Sequence, residues 1–283
     1  MQKVPIETIH LFPVVNQKLV ALLRSLSPEE WQLPTVAKMW TVKDVAAHLL
    51  DTNTRTVSQS RDKYFGEKPP PIRSNDDLVA FLNQLNAAWV NAMKRVSPAV
   101  LTDWIENTND AYYQQLAAQD PMGEAIFGVS WAGEDTSCNW FHIAREYTEK
   151  WHHQQQIRDA VNKPGILTKE LYHPVLDTFM QALPFTYRNT TAAEGTVVRV
   201  TVTGEGGGDW YLVKTGDLPA GRQDWELGIR EGTVPAAHTT IDGSVAWKLF
   251  SKSWRRKEVQ PFAQTTGDRV LGEVVLDMIS VVA

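Results

Sequence analysis

The chain contains one cysteine, Cys138, in 283 residues, which excludes an intrachain disulfide framework and fits a reducing compartment. Long apolar runs are also missing: nothing approaches the roughly 20 residues that span a bilayer, so no membrane helix is expected. The opening residues 1–20 interrupt their apolar content with Glu7, His10, Pro13 and Asn16, which is wrong for the continuous apolar core of a secretory leader. The chain therefore reads as cytoplasmic. Basic clusters are scarce beyond Lys252 to Lys257, and the net charge is -5, so no positive face invites a phosphate backbone and nucleic acid is not an expected partner. There is no internal repeat. The one glycine run, Gly204 to Gly208, lacks the Lys-Ser/Thr of a phosphate-binding loop and reads as a hairpin turn.

What is present is an ordinary globular composition, 43% hydrophobic and 22% charged, at a length that suggests two domains. The 11 tryptophans are expected mainly in cores. Up to about Pro164 the pattern is helical. Pro5 to Leu26 carries Leu19, Leu22, Leu23 and Leu26 on one face, and Ser74 to Val96 carries Leu78, Phe81, Leu82, Leu85 and Trp89. Thr41 and Asp44 form a capping box that starts a helix in which Val45, His48, Leu49 and Thr52 share the inward face. Residues 97–139 read as irregular, with Pro121, Gly123, Gly128 and Gly133, before a last helix from Trp140 to Val161 stopped by Asn162-Lys163-Pro164-Gly165. That predicts a bundle of about four helices in a domain 1–164.

A second domain, 165–283, reads as α+β. A helix Lys169 to Leu183 leads to strands at Thr196 to Thr203, Trp210 to Lys214, Trp225 to Arg230 and His238 to Ile241. Helices Val245 to Ser253 and Arg269 to Val282 follow, the last with Val270, Leu271, Val274, Val275, Met278 and Ile279 on one stripe. Cys138, ahead of a helix, reads as a small core residue.

The segment Arg145 to Gln156 carries the chemistry. Glu149 and His153, four residues apart, stack on one helix face and reach one ion together. Inward-facing His48 from another helix is a candidate third ligand, and a His2Glu set leaves positions open for water or substrate. Spacing alone does not choose the ligands. His142, Glu146, Glu149 and His153 fall at offsets 0, 4, 7 and 11 on one face, so His142 with Glu146 is a rival pair and His152 is a rival to His153.

Two runs, Leu26-Ser27-Pro28-Glu29-Glu30-Trp31 and Trp40 to Leu49, resemble the N-terminal signature of the mycothiol-dependent maleylpyruvate isomerase family, within the DinB-like metal-binding bundles. Glu149, His153 and Gln156 are similar to its second signature, Gln156 replacing the Asp common in the isomerases, while His152 to Ile157 also resembles the DinB form. Thr239 to Ser244 and Thr265 to Asp268 resemble the closing pattern of a sterol carrier-like C-terminal domain. The resemblance implies an up-down four-helix bundle followed by that smaller α+β domain, with His48, Glu149 and His153 as ligands of a divalent metal, zinc foremost and iron or nickel also suited. It implies mycothiol or another low-molecular-weight thiol as cofactor and a small electrophilic substrate, with Arg255 or Arg256 in the place of a functional arginine. The expected activity is isomerase or thiol transferase, in a monomer or homodimer. A metal-dependent hydrolase and a non-catalytic metal or small-ligand binder are the alternatives.

Overall fold

The computed structural model describes residues 4–67, 69–216, 224–228 and 233–281. Arg230 and Val282, at the ends of an expected strand and helix, lie outside these residues. The helices up to residue 160 are α1 Phe12–Arg24, α2 Val42–Ser60, α3 Asn75–Met93, α4 Pro98–Ala117 and α5 Asn139–Ala160. Then come α6 Lys169–Met180, α7 Leu183–Thr186, β1 Val197–Val202, β2 Gly208–Lys214, β3 Trp225–Leu227 and β4 Ala237–Ile241. The chain ends in α8 Gly243–Phe250, α9 Arg256–Val259, β5 Ala263–Gly267 and α10 Arg269–Gly272, the last running into a 3-10 turn, Glu273–Asp277. No described helix is long and apolar enough to cross a membrane.

Two units emerge: Glu7–Gly123 with Ile143–Ile166, and Met1–Ile6 with Glu124–His142 and Leu167–Ala283. The segment 124–142, which precedes the expected boundary, groups with the later residues. It carries its own small core of Val129, Ala132, Trp140 and Phe141.

In the helical unit, α2 starts where its capping box predicts, with Thr41 and Asp44 exchanging hydrogen bonds through side chain and backbone. Its core face brings Val42, Val45, Ala46, Leu49 and Leu50 against Leu19, Leu22 and Leu23 of α1, with Leu101 and Ile105 from α4 and Ile157 from α5. Each such fully buried aliphatic side chain is stabilising by about 1.5–3 kcal/mol.

Helix α4 corrects the irregular reading of residues 97–139. Ser97 caps it and Pro98 opens it, an allowed start because the first helical N–H needs no partner. Its buried stripe is Leu101, Thr102, Ile105, Asn109, Tyr112 and Leu116. Two of those six are polar, which blurs the apolar period. The fourth place in the bundle belongs to α4, while α3 lies along α2 with most of its apolar residues half-buried and Trp89 donating to the Ala47 carbonyl at 2.9 Å.

The second unit is built on a five-stranded sheet in the order β3-β2-β1-β4-β5, with β1 and β4 parallel and the other pairs antiparallel. Alternate residues Val198, Val200 and Val202 of β1 are buried, as are Leu212, Ala237, Thr239 and Ile241 on neighbouring strands. The β1–β2 hairpin needs glycine at Gly207, where a Cβ would stand 2.0 Å from the Val202 carbonyl oxygen. Two expectations are corrected here. Residues 263–267, taken only as a lead into the last helix, form edge strand β5, whose mixed polar residues are at most half-buried. The long helix expected over 269–282 is one short turn and a 3-10 segment, and Val270 on its supposed apolar stripe is 86% exposed. β-branched residues at 270, 274 and 275 lower helix propensity there.

Candidate metal centre

Helix α5 buries an apolar stripe of Trp140, Ala144, Tyr147 and Trp151, but its second half is mostly polar and still buried. Residues 150–158 run Lys, Trp, His, His, Gln, Gln, Gln, Ile, Arg, and all are buried. Such a helix is held by specific partners. Tyr147 meets Phe12 edge-on with ring centres 5.6 Å apart, Trp151 donates to the Ile166 carbonyl at 2.9 Å, and Arg158 donates to the carbonyls of Lys163 and Pro164 beyond the helix end. Asn162, in a left-handed conformation with φ 51, ends the helix.

One face of α5 meets α2 at an imidazole cluster. The rings of His48 and His153 are 4.7 Å apart in a T-shaped arrangement, and Trp40 lies 4.9 Å from His48. Glu149 reaches His153 Nε2 at 3.2 Å. Ligand atoms of Glu149, His152 and His153 all lie within 4.8 Å of one another. The structure thus sets His48 beside His153 and Glu149 on His153, while the three ligand atoms that lie together belong to Glu149, His153 and His152, the last a residue the family pattern sets aside, and do not include His48. Of the rival pair, Glu146 is turned away and accepts a hydrogen bond from the Tyr112 hydroxyl at 2.7 Å.

The electrostatics favour a cation. Burial, reinforced by His153, holds His48 well below the usual imidazole range, so it is neutral and able to donate a lone pair. Burial alone would raise Glu149, but the hydrogen bond from His153 outweighs it and holds the carboxyl at about 2. His152 is lowered to about 3, by burial first and His153 second. Nδ1 of His48 is buried with no hydrogen-bond partner, a condition that ordinarily costs about 1–3 kcal/mol. Two imidazoles, one carboxylate and an unpartnered ring nitrogen fit a divalent metal.

Sequence reasoning missed two features here. Gln156 bridges the adjacent imidazoles, its Oε1 2.9 Å from His153 Nδ1 and its Nε2 3.0 Å from His152 Nε2. On another face of α5, Lys150 is fully buried, hydrogen-bonded to Asn53 Oδ1 and 4.6 Å over the Tyr112 ring. Asn53 in turn donates to Asn109 Oδ1 at 3.0 Å and to Thr108 at 2.9 Å. Burial lowers Lys150 to about 7. The signal that was available is the pair of polar residues, Asn53 and Asn109, at core-facing helical positions.

The two C-terminal arginines differ. Arg256 is committed to Glu273 and to Asp277, the latter at 3.0 Å. Arg255 is exposed at the start of α9, its backbone N–H donating to Glu258 at 2.5 Å.

Fold and site together define an α+β protein whose helical unit carries an inward cluster of histidines and a carboxylate. The chain belongs to the mycothiol maleylpyruvate isomerase N-terminal domain family, whose pattern matches residues 14–158. It is similar in fold to a crystal structure of a His-to-Ala variant of the mycothiol-dependent maleylpyruvate isomerase, with 12% identity, a TM-score of 0.52 and 93% of each chain covered. A second structure of the mycothiol-dependent isomerase aligns with 12% identity and a TM-score of 0.50, over 89% of this chain and 90% of the other. No curated protein sequence matches the chain.

Proposed function

We propose that this protein is a metal-dependent enzyme that uses a low-molecular-weight thiol to act on a small electrophile, as a maleylpyruvate isomerase-like enzyme or a thiol S-transferase. The observation that carries the reading is the meeting of His48, Glu149 and His153 from two helices, with Nδ1 of His48 buried and unpartnered. Family membership, and the mycothiol dependence named for both similar structures, support a thiol as the co-reactant. When bound to two imidazoles and a carboxylate, a divalent cation such as zinc, iron or nickel supplies open positions and a positive charge that draws a thiol toward its thiolate.

The chain's own groups prepare that site. Glu149 is ionised and lends the anionic ligand, neutral His48 lends a lone pair, and Trp40 lies tilted against the His48 ring. In isomerisation the thiolate sulfur bonds to one alkene carbon of a cis enedioate, the former double bond rotates as a single bond, and the C–S bond then breaks. The thiol is regenerated and no oxidant is consumed. In transfer the sequence stops at the adduct, once the C–S bond has formed and the neighbouring carbanion has taken up the proton that the thiol gave up. Cys138 has no part in either. Of the two arginines, exposed Arg255 is the candidate for anchoring a substrate carboxylate, because Arg256 already serves two acidic side chains.

The test is turnover of a panel of electrophiles, cis enedioates included, with and without mycothiol or other small thiols. Consumption that requires both thiol and metal is the expected result. Turnover with metal but without thiol would identify a hydrolase, and bound metal with no turnover would identify a binding protein.

A further inference from the structure

Helix α3 turns one face to α2 and leaves the other to solvent. The inward face buries Val90, with Trp89 and Met93 packed beside it against the core. The outward face, Ala80, Asn83, Gln84, Ala87, Ala88 and Asn91, is exposed, and residues 78–93 contain no charged side chain. A solvated helix face ordinarily carries charge at roughly a quarter or more of its positions, as α4 does with exposed Asp103, Glu106 and Asp110. The charges of α3 sit instead at its two ends and are opposite in sign. Asp76 opens the outward face and Lys94 and Arg95 close it, and these side chains form no ion pair with any described residue. Counted from Asp76, the residues at offsets 4, 7, 8, 11, 15, 18 and 19 all fall on one side of the helix, so the charged ends and the uncharged middle are one continuous surface.

We propose that this face is the seam of a homodimer, in which α3 packs antiparallel against α3 of a second copy about a two-fold axis at Leu85 and Asn86. Such an axis makes the surface its own complement, each contact occurring twice. Asp76 meets the partner's Arg95 at both ends. Between them Ala80 meets the partner's Asn91, Asn83 the partner's Ala88 and Gln84 the partner's Ala87. Every amide side chain therefore faces a methyl group, and the two helix axes can approach to about 8 Å, the short end of helix packing distances. A parallel pair would set like charges together at both ends, which the antiparallel pair avoids. This complementarity of α3 with itself is what selects a second copy as the occupant. One helix pair buries less than the roughly 1,600 Å² of a standard interface, so the dimer is expected to dissociate in the micromolar range. The pairing requires no metal.

The experiment is sedimentation velocity of the full-length protein over a concentration series, for wild type, Ala87→Glu, Asp76→Lys, Arg95→Glu and the double charge swap of Asp76→Lys with Arg95→Glu. Thermal melts accompany it to show that each variant is folded, as expected because all three positions are exposed. Wild type sediments as a dimer that dissociates on dilution. Ala87→Glu, which sets two carboxylates close to the two-fold axis, leaves a folded monomer. Each single charge reversal creates two like-charged contacts per dimer and raises the dimer Kd about tenfold. The double swap restores both pairs with their signs exchanged and returns the Kd to within about threefold of wild type. A wild-type protein that stays monomeric at ~100 μM, well above a micromolar Kd, overturns the proposal. So does a dimer undisturbed by Ala87→Glu, or a double swap no tighter than the single reversals.

Discussion

Helix α5 presents two buried polar clusters that differ in one respect. On one side Lys150, Asn53, Asn109, Tyr112 and Glu146 satisfy each other in a closed set of hydrogen bonds and a cation–π contact. On the other side His48, Glu149, His152, His153 and Gln156 form a set that leaves His48 Nδ1 without a partner. Buried polar groups are ordinarily paired, and an unpaired one signals either cost without return or a ligand. The comparison teaches that the closed cluster specifies how the bundle packs, and the open cluster is where the proposed ion would be held.

The largest effect expected from breaking this comparison comes at the open cluster. His153→Ala lowers zinc affinity by about three orders of magnitude, roughly 4 kcal/mol, and abolishes the rise in melting temperature that zinc gives the wild type; thermal melts with and without zinc check both. At the closed cluster Asn53→Ala leaves the Lys150 ammonium without its acceptor. It is expected to cost about 3 kcal/mol of stability by the penalty for an uncompensated buried charge, with zinc stoichiometry unchanged.

Smaller per pH unit is the dependence that Lys150 imposes. Its pKa is about 7 in the folded chain against 10.5 when unperturbed, so between those values the unfolded chain holds a proton that the folded chain has released. Stability from this group therefore rises with pH from about 7 to about 10.5, with a slope of at most about 1.4 kcal/mol per pH unit, and contributes no slope below pH 7. Denaturant melts across that window should lose this slope in Lys150→Met. The smallest effect is that of Arg255→Ala, about 1 kcal/mol or a severalfold rise in KM for a dicarboxylate with kcat retained, measured once a substrate is in hand.

Much of the open cluster was legible in the sequence, because its parts obey local rules. Thr41 and Asp44 fix where α2 begins, which puts His48 on the inward face, and the spacing of four stacks Glu149 on His153. The closed cluster was not legible. Its members come from positions 53, 109, 112, 146 and 150, and Asn109 belongs to a helix whose polar core positions erase the apolar period used to find it. Gln156 was visible as a departure from the family's Asp, but its bridge depends on ring orientations that spacing does not give. In the sheet unit β1 and β4 announced themselves by their β-branched residues and β2 by its run from Trp210 to Val213. Edge strand β5 alternates weakly because it has little to bury.

Metal content of the full-length protein, purified without an affinity tag and analysed for zinc, iron and nickel, tests the central claim most directly. One ion per chain in the wild type and in Asn53→Ala, with little or none in His153→Ala, is the result this account predicts. Full occupancy in His153→Ala, or a folded wild-type protein that takes up no divalent ion when supplied with zinc, would contradict it.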